Sequence, residues 1–414
     1  MLLGPAARSQ VLRTALADAV TSLIPGDSAR PRGADALTFN LGPLPEPPSE
    51  AGLRALTRLE PGEEWVVRPV PLDDERRLWR PGLRFGVSRD SRFWQDALGM
   101  PVIGVTSAHT MSEAIALTNR LGAGGVAALH ATDPAEMLPW LERAEAASLS
   151  LGRPTSGARI ERQPQGGWRA AGMASVALTG GPNRLLTLGS WELREGTASQ
   201  TLHLRGLAPE VRVLIETSQA SLDYQSFDRL RRASLSDALT WRTALGRVDD
   251  VSGLGIERNL LRHWPVSTHV RLSEGEALGD LLRVISAGLV VGAPMSVSTG
   301  SVLPAEISAF LASQGVTVSL ERDDAWLERV SVQGPGDDEL AATRVRLIGG
   351  DRVRAAEWIG GLGEITLWAE PVTIAGPVEL LTFLREQSVS ITAHRHGLAF
   401  VPAGIGTWLS EIQN

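Results

Sequence analysis

The 414-residue chain contains no cysteine and no lysine, and it carries one tyrosine and seven phenylalanines against twelve tryptophans. Without cysteine there is no thiol nucleophile, disulfide framework, iron–sulfur cluster or Cys-ligated zinc. Without lysine all 40 basic residues are arginine, which excludes a Schiff-base lysine and a phosphate-loop lysine. Codon bias in a GC-rich genome is the simplest origin of that absence. Basic excess is lacking too. The formal net charge is −7, which argues against a large sequence-independent affinity for nucleic acid. The longest apolar run, Val284 to Val297, is too short to span a bilayer and is broken by glycine and proline. The opening MLLGPAARSQ has no cationic region followed by an uninterrupted apolar core, so it does not read as a signal peptide. The expectation is a cytoplasmic protein with no membrane span and no nucleic-acid partner.

What is present is ordinary globular usage, 43% hydrophobic and 21% charged, over a length that suits two or three domains. Val11, Leu12, Leu16, Val20 and Leu23 recur at helical spacing, and a stretch from Pro25 to Pro48 is too proline-dense for regular structure. Trp65 to Val70 and Pro101 to Thr106 read as strands. Met111 to Leu121 reads as a helix capped by Thr110 or Ser112, and Val126 to His130 as a strand. A helix over Asp133 to Ala146 has Asp133 as N-cap and Pro134 at its first position. A polar, arginine-rich junction follows, from about Arg194 to Val251, with a helix near Phe227 to Leu245.

Alternation then resumes. Strands begin at Val270, Met295, Val316, Val345, Ile365 and Val389, and they are separated by helices such as Ala277 to Leu289 and Pro304 to Ser313. Strand–helix alternation at this spacing implies parallel sheets covered by helices, an α/β fold. The domain reading is 1–192, a junction with a possible oligomerisation flap over 193–250, and a second α/β domain over 251–414.

The densest glycine cluster runs through GRPTSGARIERQPQGGWRAAGM, Gly152 to Met173, and on to LTGGPNRLLTLGSW, Leu178 to Trp191. In PTSGA, Gly157 permits a positive φ, so the backbone amides can converge on a carboxylate or phosphate. A tight turn between strands explains the same residues. Gly166-Gly167-Trp168 reads as backbone that approaches something closely, with the same alternative. His394 and His396 lie two apart in a strand-like run and share a face, which suits a metal pair only if acidic partners join them. Asp323 and Asp324 open a helix as capping residues.

These strings resemble the aldehyde dehydrogenase superfamily. The subgroup is L-glutamate γ-semialdehyde (1-pyrroline-5-carboxylate) dehydrogenase, as in the second half of bifunctional proline utilisation A flavoenzymes. RPTSGA, RQPQGGW and GGPNRLLTLGSW carry the likeness. Gly42-Pro43-Leu44, Pro71-Leu72-Asp73-Asp74, Val102-Ile103-Gly104-Val105 and Ser112-Glu113-Ala114-Ile115 follow in family order. Glu257 to Pro265 (ERNLLRHWP) and Phe383 to Gly397 (FLREQSVSITAHRHG) resemble the extra carboxy-terminal, aldehyde-dehydrogenase-like (Rossmann-like) domain of the long, actinobacterial-type members.

The resemblance implies a partial aldehyde dehydrogenase catalytic domain followed by that second domain, in the proline-catabolism branch. It implies that Gly157 and Ala158, with Ser156 beside them, grip the α-carboxylate of the semialdehyde. Gln165 stands where the family has an aromatic residue packed on the aldehyde chain. It also implies a terminal strand that helps close an interior cavity, and Trp168 near a ligand.

Two departures matter. Where the family has a ribose-gripping Glu and a Phe, a gapless count places Ala97 and Gly99. A one-residue shift would bring in Asp96 instead. The chain is also expected to start just after the position of the nucleophilic Cys and the NAD-binding part. A thiolate must attack the aldehyde before hydride can leave. The expectation is therefore a fragment or degenerate homologue that is inactive alone, with no cofactor-binding and no catalytic residues of its own. The alternative is one half of a split NAD-dependent enzyme, completed by a separate chain carrying the NAD-binding and proline dehydrogenase parts. Self-association into a homo-oligomer is a further expectation, from the strands that follow GGPNRLLTLGSW in the family.

Overall fold

The structure, a computed structural model, describes residues 2–26, 41–156, 159–168, 171–172, 177–189, 203–250, 252–332, 344–360, 365–395, 398–399 and 404–408. Gly157, Ala158 and His396 lie outside the described residues, as does the beginning of the junction, residues 193–202. The chain divides into two units: residues 1–122 with 139–144, and residues 123–138 with 145–414.

In the first unit, α1 (Gln10–Thr21) begins at Ser9, whose hydroxyl accepts from Leu12 N at 3.2 Å. Its apolar stripe is only half used. Val20 is buried and Leu16 packs on Leu83 and Val105, while Val11 is 81% exposed. α2 (Glu50–Thr57) precedes β1 (Glu64–Val67) and β2 (Gly82–Phe85). A short α3 (Phe93–Asp96) leads into β3 (Val102–Val105), and α4 (Met111–Leu121) follows. β1 runs antiparallel and β3 parallel to β2. β3 is the edge of this sheet among the described residues, and its Ile103 is exposed.

The unit turns on one buried guanidinium. Arg84 pairs with Glu63, donates to the carbonyls of Ala55 (3.3 Å) and Arg58 (3.0 Å), and lies 4.0 Å over the Phe93 ring. Phe93 in turn presses so closely on Gly104 that any Cβ there would collide with the ring. The sequence-level caps are as expected: Thr110 Oγ1 accepts from Glu113 N at 3.2 Å, and Asp133 Oδ1 from Ala135 N at 2.9 Å.

The second unit holds two five-stranded sheets. The first uses β4 (Val126–Leu129), which α5 (Pro134–Arg143) follows, and β5 (Ser148–Leu151). α6 (Pro209–Ser218) and α7 (Tyr224–Thr240) come next, and a π turn at Trp241–Leu245 extends α7. The short β6 (Asp249–Asp250) and the nine-residue β7 (Glu257–Pro265) return to the first sheet.

The second sheet is wholly parallel. It is built from β8 (Thr268–Leu272), α8 (Leu278–Val290), β9 (Met295–Thr299), α9 (Ala305–Ser313) and β10 (Thr317–Leu320). After α10 (Asp323–Val332) come β11 (Arg344–Ile348), α11 (Arg352–Ile359) and β12 (Thr366–Trp368). Its spatial order is β10-β9-β8-β11-β12, a doubly wound arrangement. α12 (Gly376–Glu379) then leads to β13 (Leu384–Thr392), which joins the first sheet in the order β6-β7-β13-β5-β4. The architecture is α/β, as the alternation implied.

The apolar run Val284 to Val297 is α8 and β9, packed among Leu214, Ile215, Ile307, Leu311 and Phe383. Trp326, Leu327 and Val330 form a core on Val345, Leu347 and Ile365. The core also buries charge. Arg283 forks onto Asp237 at 2.6 and 2.9 Å, and Arg346 reaches Glu379 at 2.7 Å. Burial pushes Asp237 up to about 6 despite the facing Arg283. Asp323 opens α10 as expected, but its carboxylate holds Arg271 at 2.6 Å and Glu274 N at 3.2 Å, so it ties β8 to α10. Asp324 pairs with Arg354 at 3.0 Å.

His269 is buried beside Trp326, bonded to Ser296 (2.8 Å), Ser298 (3.1 Å) and the indole N–H (3.1 Å). Burial, with the neighbouring arginines, lowers it to about 3 from 6.5. A folded pKa below the unfolded one stabilises the fold above 6.5, and that stabilisation is lost as pH falls toward 3. Relative to H269Q, the wild-type chain should therefore lose stability on acidification through this window, by about 1.4 kcal/mol per pH unit at most. Parallel urea-unfolding curves for the two proteins from neutral pH to pH 4 would contradict the assignment.

Candidate functional site

The candidate site stands at the carboxyl ends of β5 and β13, the ends at which open α/β sheets place ligand-binding loops. β7 lies antiparallel to β13 from Glu257 opposite Thr392 to Pro265 opposite Leu384. On the other side β13 runs parallel to β5, Ser388 to Ser148 through Ile391 to Leu151. The period of two puts Glu386, Ser388, Ser390 and Thr392 on one face, with Glu257, Asn259 and His263 opposite them on β7. Val389 and Ile391 fill the other face and are buried.

This polar face organises the glycine-rich segment. Ser388 Oγ donates to Pro164 O at 2.8 Å, and Thr392 Oγ1 to Gly152 O at 3.0 Å. Glu386 is buried. One of its oxygens accepts from Asn183 Nδ2 at 2.7 Å and the other from the amide of Leu178. Asn183 Nδ2 also lies 3.0 Å from His263 Nε2. The LTGGPN turn is thus anchored by a side chain 200 residues away in sequence.

Gln165 pairs through its backbone with Thr179, at 3.0 and 2.8 Å, and its side-chain amide donates to Gln163 O at 3.2 Å. Trp168 is a core anchor. Its N–H donates to Glu386 O at 2.8 Å, its ring lies 4.0 Å beneath Arg385, and it packs on Ala147, Leu178 and Leu261. The close approach at Gly167 is to the backbone of Ala171, where a Cβ would collide.

Ser156 is exposed, and the described residues on either side of 157–158 form an arginine-rich pocket. Arg153, Arg159, Arg162, Gln163, Glu257 and Asn259 line a space of ≈ 100 Å³. Arg153 donates to Glu257 at 2.8 Å and to Ser390 Oγ at 2.5 Å, and Arg162 lies 3.9 Å from Glu257. Asn259 donates to Glu257 at 3.0 Å and accepts from Ser390 at 2.8 Å. Burial raises the Glu257 pKa, but the hydrogen bonds from Asn259 and Arg153 and the charges of Arg153 and Arg162 outweigh it. The carboxyl is held below its ordinary value.

Three guanidiniums thus face one carboxylate. The density of arginine in RPTSGARIER was a visible signal for this pocket. Glu257 and Asn259 could be found only through the β7–β13 pairing. Among the described residues no group of three or more His, Asp or Glu could hold a metal ion, and His394 is the one member of its pair that is described.

The positions matched to the family's cofactor contacts serve other ends. Asp96 is held by Arg54 at 3.2 Å, Ala97 caps α3, and Gly99 has φ +76°, a conformation that disfavours the Phe expected there. In the parallel sheet the strand order reverses between β8 and β11, where a dinucleotide would lie in such folds. There the Glu276 side chain packs onto Gly349 and the Ser273 hydroxyl onto Gly350. Glu276 precedes α8 and Asp280 sits in its first turn, opposing phosphate at that helix end. These residues do not fit a dinucleotide pyrophosphate. No helix among the described residues is long and apolar enough to cross a membrane.

With this geometry in view, the chain can be compared with known proteins. Residues 16–185 match the aldehyde dehydrogenase family. The structure is similar to that of proline utilization A from Corynebacterium freiburgense, with TM-score 0.69 and 28% identity. That match covers 94% of this chain and 35% of that one. Proline utilization A from Bdellovibrio bacteriovorus matches at TM-score 0.36 and 21% identity, over 44% of this chain and 18% of that one. In sequence, 2,5-dioxopentanoate dehydrogenase of Saccharolobus solfataricus is 32% identical over 92 residues, 22% of this chain and 19% of that protein. The chain therefore spans about a fifth of that curated relative and about a third of the Corynebacterium protein.

Replacing Glu257 by Gln leaves Arg153 without its counter-charge and should destabilise the chain at neutral pH by about 1–3 kcal/mol. Because folding lowers this carboxyl's pKa from 4.5, its stabilisation is complete above that pH and is lost as pH falls through the folded value. Chemical denaturation of E257Q and wild type should converge in acid. A gap that persists unchanged at pH 3 would contradict the pairing.

Proposed function

We propose that this chain is a part or a degenerate relative of an aldehyde dehydrogenase of the L-glutamate γ-semialdehyde type, in proline catabolism, and that it does not oxidise aldehydes alone. One observation carries the reading: the 28% identity and TM-score of 0.69 to proline utilization A extend over 94% of the chain and so take in both units. The order of RPTSGA, RQPQGGW and GGPNRLLTLGSW supports the same assignment.

The proposed division of labour follows from chemistry. Oxidation of an aldehyde by NAD needs a covalent adduct from which hydride departs, and the nucleophile in this superfamily is a thiolate. These 414 residues contain none. Loss of a covalent nucleophile from a site that acts as a unit costs orders of magnitude in rate. What the chain contributes is recognition of the substrate's carboxylate by Ser156, Gly157 and Ala158, with Gln165 where an aromatic contact would lie. A second reading is that a separate chain supplies the NAD-binding part and the nucleophile. It is favoured by the coverage, since about two thirds of the Corynebacterium protein has no counterpart here.

The test is an assay of the purified chain with L-glutamate γ-semialdehyde and NAD, beside calorimetric titration with glutamate. The expected result is no NADH formation above background, with saturable glutamate binding that S156A weakens. NADH formation by the chain alone would contradict the catalytic half of the proposal, and absence of glutamate binding the substrate half.

A further inference from the structure

We infer that the pocket lined by Arg153, Arg159, Arg162 and Gln163 and by Glu257 and Asn259 of β7 is a binding site for a compact dianionic oxyanion, a phosphate or phosphoryl group. Three features point there. The first is charge. Arg153, Arg159 and Arg162 converge on the pocket against the single carboxylate of Glu257. Arg153 and Asn259 already engage that carboxylate at 2.8 and 3.0 Å.

The second is availability. The Arg159 guanidinium makes no hydrogen bond or ion pair with any described residue, and that of Arg162 has only its 3.9 Å approach to Glu257. Two guanidinium forks therefore keep most of their donors for a ligand, in the geometry that suits bidentate contact with phosphate.

The third is shape and lining. Among the described residues, the space of ≈ 100 Å³ is lined by polar side chains, and its Gln163 and Asn259 are buried. It holds a small oxyanion in place of a few waters. It offers no apolar wall on which the methylene chain of a dicarboxylate could be desolvated. That separates it from the carboxylate recognition proposed above, which is assigned to the neighbouring Ser156–Ala158 segment. The base of the pocket is preorganised. Arg153 is fixed by Ser390 on β13 and Gln163 by Ser150 on β5, at 2.5 and 3.3 Å. An anion would thus join two guanidiniums with donors to spare to a floor fixed by hydrogen bonds.

The experiment is isothermal titration of the whole chain with inorganic phosphate, AMP and glutarate at constant ionic strength in chloride, repeated on R159A and R162A. Both variants remove side chains that make little contact with the fold, and unchanged thermal unfolding of the free proteins confirms this. Saturable phosphate binding, weakened roughly tenfold or more in each variant, supports the site. AMP is expected to compete with phosphate. AMP the tighter of the two supports a phosphoryl group on a larger molecule as the ligand, and phosphate the tighter supports the free ion. Three results would overturn the inference: no saturable binding of either, affinity unchanged in both variants, or bound phosphate displaced competitively by glutarate at lower concentration than by AMP.

Discussion

Everything assigned to the candidate site depends on the pairing of β13 with β7 and β5. A nine-residue antiparallel ladder on one side and a parallel one on the other leave β13 no freedom of register. A one-residue slip would bury Glu386, Ser388 and Ser390 among the apolar side chains that Val389 and Ile391 now meet. In the observed register those polar groups instead hold three separate pieces of the glycine-rich region. Ser388 grips the backbone at Pro164, Glu386 the turn at Leu178 and Asn183, and Ser390 the guanidinium of Arg153. Residues near the end of the chain thereby shape the segment in which the aldehyde dehydrogenase likeness is densest.

A second constraint is the absence of lysine. Arginine must serve both surface and interior, and it serves the interior by forking. Arg84, Arg283 and Arg346 are nearly inaccessible, yet each meets a carboxylate and at least one carbonyl. A buried ion pair of this kind adds little net stability over an apolar replacement, but removing one partner is costly. The same side chain at the pocket mouth, with its donors unspent, becomes a ligand-binding group.

Much of the fold was legible in the sequence. Thr110, Asp133 and Pro134 mark helix starts because capping is local chemistry, and α8 and β8 to β11 follow from apolar periodicity. The strand β7 was not legible, since ERNLLRHWP mixes charge and apolar residues and its meaning lies in a partner some 125 residues away. α6 was hidden inside a polar junction for a related reason: its apolar face is short and is satisfied by α7, α8 and α9. The partners of Trp168 were not legible, because a motif shows that a residue is constrained, not by what. Glu386 had no sequence signal at all, being one acid in a strand. Of the residues singled out for the substrate, Gln165 is tied into the turn by its backbone and Ser156 is exposed at the pocket's margin.

The account holds that β13, through Glu386, supports the turn carrying Leu178 to Asn183, while the strand's own ladders with β7 and β5 form without that turn. Native-state hydrogen exchange of wild type and E386Q tests this directly. The account predicts that the amides of Leu178, Thr179 and Gly181 lose protection by roughly tenfold or more in E386Q, the equivalent of one charge-assisted hydrogen bond, while those of β7 and β13 remain unchanged. Equal protection of the turn in both proteins, or loss spreading through the β7–β13 ladder, would contradict it.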